Sequence, residues 1–115
     1  MGPKGCSAAE VGALALSLPE TTEEPHHDMT SYRVRGKIFA TVPAEADRVH
    51  IFIGSDDVAA YCAEYPGQVE ELWWGKRLSG CRLPLTTATR PLLRELLTEA
   101  WRRRAPKTLL AQFDG

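Results

Sequence analysis

The chain has 115 residues, 43% of them hydrophobic and 25% charged. That is enough for one core burying roughly 60–70% of the unfolded surface, and no second core is expected. The longest apolar stretch, Val11 to Leu18, is broken by Gly12 and Ser17 and followed by Pro19. Neither a membrane span nor a secretory leader is expected, and a soluble, cytoplasmic single domain over 1–115 is. The net charge of −1 conceals a split: residues 1–75 hold five Lys/Arg against twelve Asp/Glu, residues 76–115 nine against three, or −7 and +6. Such asymmetry points to nucleic acid or an acidic protein as partner, or to halves that neutralise each other across one compact domain.

Residues 1–6 are expected to be disordered. Ser7-Ala8-Ala9-Glu10 is a capping box, and Val11, Leu14, Ala15 and Leu18 continue one helical face until Leu18-Pro19 ends it. The polar, aperiodic run Glu20 to Met29 predicts a loop. Tyr32-Arg33-Val34-Arg35 and Ile38-Phe39-Ala40-Thr41-Val42 predict a hairpin about Gly36, whose turn is either Arg35-Gly36 or Gly36-Lys37. After a turn at Pro43 to Asp47, Val49 to Ile53 predicts a third strand closed by Gly54. A helix capped by Ser55 or Asp56 then runs through Val58, Ala59, Tyr61, Cys62 and Tyr65 to Pro66-Gly67.

Val69 to Trp74 and Leu78 to Leu85 predict a strand pair around Gly75-Lys76-Arg77, with Gly80 and Pro84 interrupting the second strand. Leu93, Leu96, Leu97, Ala100 and Trp101 recur at helical spacing and draw one apolar stripe. Thr89 is its N-cap, Pro91 lies in its first turn and Pro106 stops it. Leu109, Leu110 and Phe113 suit one further packed turn. The order α-β(3)-α-β(2)-α implies an α+β sandwich, a mostly antiparallel five-stranded sheet with helices on one face.

Leu16-Ser17-Leu18-Pro19-Glu20 with Glu23-Glu24, then Tyr32 to Ala40 through Arg35-Gly36-Lys37, then Ala100-Trp101 with Ala105-Pro106-Lys107, resemble the MmcQ/YjbR-like family in order and spacing. The resemblance covers about Leu14 to Leu110. It implies the same element order, in an arrangement like that of secretion chaperones. It also implies DNA binding, since members are commonly given that label for a double-wing motif. One departure stands out: where many members carry His-Trp after the basic residues of the last hairpin, Lys76-Arg77 is followed here by Leu78-Ser79.

The basic side chains are the best candidates for function. Arg33, Arg35 and Lys37 flank one hairpin, Lys76, Arg77 and Arg82 flank the other, and Arg102, Arg103, Arg104 and Lys107 end the long helix. Converging clusters can neutralise phosphates without reading a base, whereas dispersed ones only protect strand edges. Trp73 and Trp74 must point to opposite faces, so one is expected in the core and the other partly exposed, where it stacks a ring or anchors a protein interface.

His26-His27-Asp28 lacks the spacing and companions of a metal site, and His50 sits alone on a strand, so no metal is expected. Cys6, Cys62 and Cys81 form no CxxC pair and are expected as reduced thiols, with Cys62 in the core. No Gly-x-Ser-x-Gly setting and no glycine-rich phosphate loop occurs, and no cofactor is expected. The expectation is therefore a non-enzymatic DNA-binding protein, against a protein-interaction module that binds no nucleic acid.

Overall fold

The computed structural model describes residues 5–114. Its elements are α1 (Ala8–Leu16), β1 (Thr21–His26), β2 (Met29–Val34), β3 (Lys37–Val42), β4 (Arg48–Ile51), α2 (Ser55–Glu64), β5 (Glu70–Trp74), β6 (Arg77–Pro84), α3 (Arg90–Arg104) and α4 (Lys107–Asp114). The strands form one sheet in the order β1-β2-β3-β4-β6-β5, and every neighbouring pair is antiparallel. The fold class expected from the sequence holds, with one more strand.

The additional strand is β1, which occupies part of the predicted loop. Its residues lack alternation because it is an exposed edge whose side chains meet little of the core. Glu23, Glu24 and Pro25 suit such an edge, since charge and a missing N–H discourage pairing with other chains. His27, in the left-handed region at φ 59°, makes the two-residue turn to β2. A second expectation is corrected at the N-terminus. Residues 1–4 lie outside the described residues, but Gly5 and Cys6 donate backbone N–H groups to Ala88 and Leu85 carbonyls at 3.0 and 2.8 Å.

Several local signals act as read. Ser7 and Glu10 exchange both bonds of the capping box at 3.1 Å. Thr89 caps α3 by accepting from the Leu92 N–H, and Ala105 leaves helical space before Pro106. The first hairpin turns on Arg35-Gly36, both at positive φ (51° and 81°), which suits the right-handed twist of the flanking strands. The cap of α2 differs: Gly54 is its N-cap with no side-chain bond, and Ser55 already lies inside the helix. Asp56 and Asp57 favour its dipole instead.

Register sorts the sheet into two faces. Tyr32, Ala40, Ile51 and Cys81 lie opposite one another across β2, β3, β4 and β6, and all are buried. One residue over, Ser31, Thr41, His50 and Arg82 form the matching row on the other face. The apolar row joins Val11, Leu14, Val58, Leu92, Leu93, Leu96, Leu97, Trp101 and Leu109 in one core, so all four helices lie on that face. Trp101 is wholly buried, and its indole N–H donates to the Pro19 carbonyl at 3.0 Å. No helix among the described residues lies over the polar row.

Two register shifts bend the sheet. Tyr32 faces Ala40 but Arg33 faces Ile38, so Phe39 is an extra residue; likewise Leu72 faces Gly80 but Trp73 faces Leu78, so Ser79 is extra. Beside the second bulge, β6 passes so close to the end of β4 that a Cβ on Gly80 would lie 3.0 Å from Phe52 Cα and nearer still to the Ile51 carbonyl oxygen. Backbone on both sides leaves nothing to give way. Replacement Gly80→Ala is expected to destabilise the protein by about 1–3 kcal/mol, as overpacking does, and Gly80→Val by more; urea unfolding measures both. A neutral Gly80→Ala would mean that the β4–β6 contact is looser than described.

Candidate anion-binding cleft

The uncovered face carries a cleft of about 520 Å³. Its floor includes Thr41 and His50 from the polar row, with Ile38 and Phe52 beside them. At one end the start of β3, the β5–β6 hairpin and the C-terminus of α3 come together, bringing Lys37, Arg77, Arg103 and Arg104 to its rim. The far end is closed by His26, His27 and Met29 around the β1–β2 turn. None of the lining residues is Asp or Glu.

The remaining predicted basic residues are placed otherwise. Arg35 makes a two-pronged ion pair with Glu20, and Arg102 one with Asp114 at 2.6 and 3.0 Å while lying over the Phe113 ring. Arg82 bonds Glu70 at 2.9 Å, and Arg33 donates to Ser31 Oγ with Glu24 4.0 Å away. These pairs hold the Glu20 and Asp114 carboxyls below the usual range and raise Arg35 and Arg102. Lys76 and Lys107 are exposed and line no part of the cleft. Of the ten basic candidates, then, the fold gathers four.

Those four meet little compensation. Arg103 donates to the Phe52 carbonyl at 3.4 Å. The Nε of Arg104 is buried with no hydrogen-bond partner, and burial, followed by the neighbouring charges of Arg103 and Arg77, lowers its pKa. An unpaired guanidinium N–H beside two further guanidinium groups is the arrangement an incoming anion would relieve.

The tryptophans correct a further expectation: neither is in the core. Trp73 is 50% and Trp74 60% exposed. They do point to opposite faces, but β5 is the outermost strand and buries no residue fully. Trp74 faces the cleft, its ring 5.4 Å from that of Phe52 at 58°. Trp73 bonds Glu71 weakly at 3.5 Å outside the cleft. Cys62, expected in the core, is only half-buried at its margin.

Sequence reasoning weighed the histidines only as metal ligands, yet all three line this cleft. Among the described residues, no group of three His, Cys, Asp or Glu side chains is placed to hold a metal. His26 and His27 pack edge to face at 4.6 Å. His50 is held below its ordinary pKa by burial first, then by Arg48 and Arg82. Its neutral form is thus favoured in the folded state, so the unfolded chain takes up the proton first on acidification. Stability is expected to fall as pH drops through about 6.5, the unfolded value, and to level off below the folded value. Thermal unfolding of His50→Gln between pH 8 and pH 5 should lack that part of the loss; an unchanged profile would remove His50 as its source.

The family profile described as YjbR matches residues 16–103. None of the curated proteins matches the chain. Among solved structures, the crystal structure of Deinococcus radiodurans protein DR2400, a DUF419 domain, is similar with a TM-score of 0.71 at 16% identity, over 87% of this chain and 78% of that one. At that identity the likeness shows a shared fold. No helix among the described residues is long and apolar enough to cross a membrane. With the profile spanning all six strands and nearly all of α3, the chain belongs to the YjbR family.

Proposed function

We propose that this protein is a non-enzymatic DNA-binding protein whose phosphate contacts come from the cleft. One observation carries the reading: Lys37, Arg77, Arg103 and Arg104, from three separate parts of the chain, line one concavity to which no Asp or Glu among the described residues contributes. Ordinary surface arginines find acidic neighbours, as Arg35, Arg82 and Arg102 do. Phosphate oxygens supply what these four lack, and the binding they give is insensitive to sequence. The thiols weigh against one kind of catalysis, that by a cysteine nucleophile. Burial raises all three, Cys81 to about 12, which keeps them protonated and weakly nucleophilic.

A second reading, a protein-interaction module, is favoured by Trp73. Its half-exposed ring lies on β5, whose outer edge is unpaired and open to a partner strand. Self-association through that edge would appear in light scattering as a concentration-dependent dimer dissolved by Trp73→Glu.

The test of DNA binding is a salt series with one mixed-sequence oligonucleotide, as single strand and as duplex. Dissociation constants in the non-specific range of roughly 10⁻⁴–10⁻⁶ M are expected, with a log–log salt slope of about −3 to −4 for four phosphates. Neutralising Lys37, Arg77, Arg103 and Arg104 together should abolish binding and slope. Neutralising Arg33, Arg35, Arg82 and Arg102 should change either only slightly. Anisotropy flat for both forms at low salt would overturn the proposal.

Arg104 offers an independent check. Replacing it by Leu removes an unpaired buried donor, so the free protein should become more stable by about 1 kcal/mol, while oligonucleotide affinity falls. Stability and affinity that both fell would indicate that Arg104 has a structural role instead.

A further inference from the structure

The cleft combines its cations with an aromatic wall. Trp74 leaves most of its ring to solvent, and the buried Phe52 ring beneath it fixes its tilt. Arg77 lies directly across the hairpin from Trp74, while Arg103 reaches the Phe52 carbonyl on the other side. A ring system stacked on Trp74 would therefore have guanidinium groups within reach of its flanking phosphates. The volume of about 520 Å³ lies in the range of small-molecule sites. In a duplex the bases are sealed in the stack, and extruding one is costly.

We propose, resting on the DNA-binding reading above, that the cleft takes an unpaired nucleotide of single-stranded DNA, its base stacked on Trp74 and its phosphates held by Arg77, Arg103, Arg104 and Lys37. Stacking on an indole is tolerant of base identity, so the preference is for strand state and not for sequence. Lysine and arginine at the rim then follow the backbone in and out of the cleft. The three histidines at its floor and far end add donors without adding negative charge.

The experiment compares, by anisotropy, a single strand of about 12 nucleotides, within the site sizes of such binders, with its blunt duplex and with a free mononucleotide. The strand is expected to bind at least about tenfold tighter than either competitor, and Trp74→Ala to weaken it roughly 5- to 150-fold, the span of one lost stacking contact. Trp74→Phe should restore part of the loss, and Trp73→Ala, altering a ring outside the cleft, should leave affinity unchanged. All three variants replace exposed rings, and matching melting curves confirm their folding. Equal affinity for duplex and strand with Trp74→Ala unaffected would overturn this inference and leave phosphate binding standing. A mononucleotide as tight as the strand would overturn the assignment to a polymer. Failure of strand and duplex alike would remove the DNA-binding reading itself.

Discussion

Burial of the Trp101 indole against the sheet is the contact on which the rest of the molecule depends. An indole of this size removes roughly 150–250 Å² from water, and here its one polar atom is satisfied by the Pro19 carbonyl, so no desolvated N–H offsets the gain. The same ring meets Phe113 at 4.8 Å, tying α4 to the end of α3. With α3 pinned at this point and running off the start of β3, its last turn has nowhere to go but the rim of the open face. The position of Arg103 and Arg104 is thus a consequence of core packing, although neither belongs to the core.

The contrast between paired and unpaired arginines follows from strand geometry. Arg82 and Glu70 are direct cross-strand neighbours. Arg33 pairs with Thr22 in the register and finds Glu24 diagonally, further along β1, so carboxylates on adjacent strands neutralise both arginines locally. Arg35 meets Glu20 because β2, antiparallel to β1, ends beside the beginning of β1. Arg77 sits at a hairpin end, and Arg103 and Arg104 at a helix end, where the helix dipole offers partial negative charge but no Asp or Glu among the described residues pairs with them. Ends of elements are not themselves decisive, since Arg35 and Arg102 also lie at such ends and are paired with Glu20 and Asp114.

Much of the fold was legible in the residues. The capping box at Ser7, the apolar stripe of α3 and its Thr89 and Pro106 boundaries rest on local chemistry that tertiary packing has no reason to override. β1 was not legible: an exposed edge strand buries too little for alternation to appear, and its pairing is dictated by β2. The site was legible only in part. Charge clusters can be read in sequence, but whether Arg35 or Arg77 is free depends on which carboxylate the fold brings beside each. The meeting of Phe52 with the three histidines carried no signal, because it depends on which strands pair, and the histidines come from the β1–β2 turn and from β4, far apart in the chain.

The order in which the sheet can be assembled has its own consequence. β1 to β4 pair as a meander of near neighbours, and β5 with β6 as a hairpin, but joining β4 to β6 brings Ile51 against Cys81 across the whole of α2. Local pairings close small loops, whereas this one pays the entropy of a long loop. The cleft straddles that seam, with Lys37, Thr41 and His50 on one side and Trp74 and Arg77 on the other. The concave cationic surface therefore exists only where the β4–β6 pairing is made, and any loosening of that seam opens the site before it exposes the core.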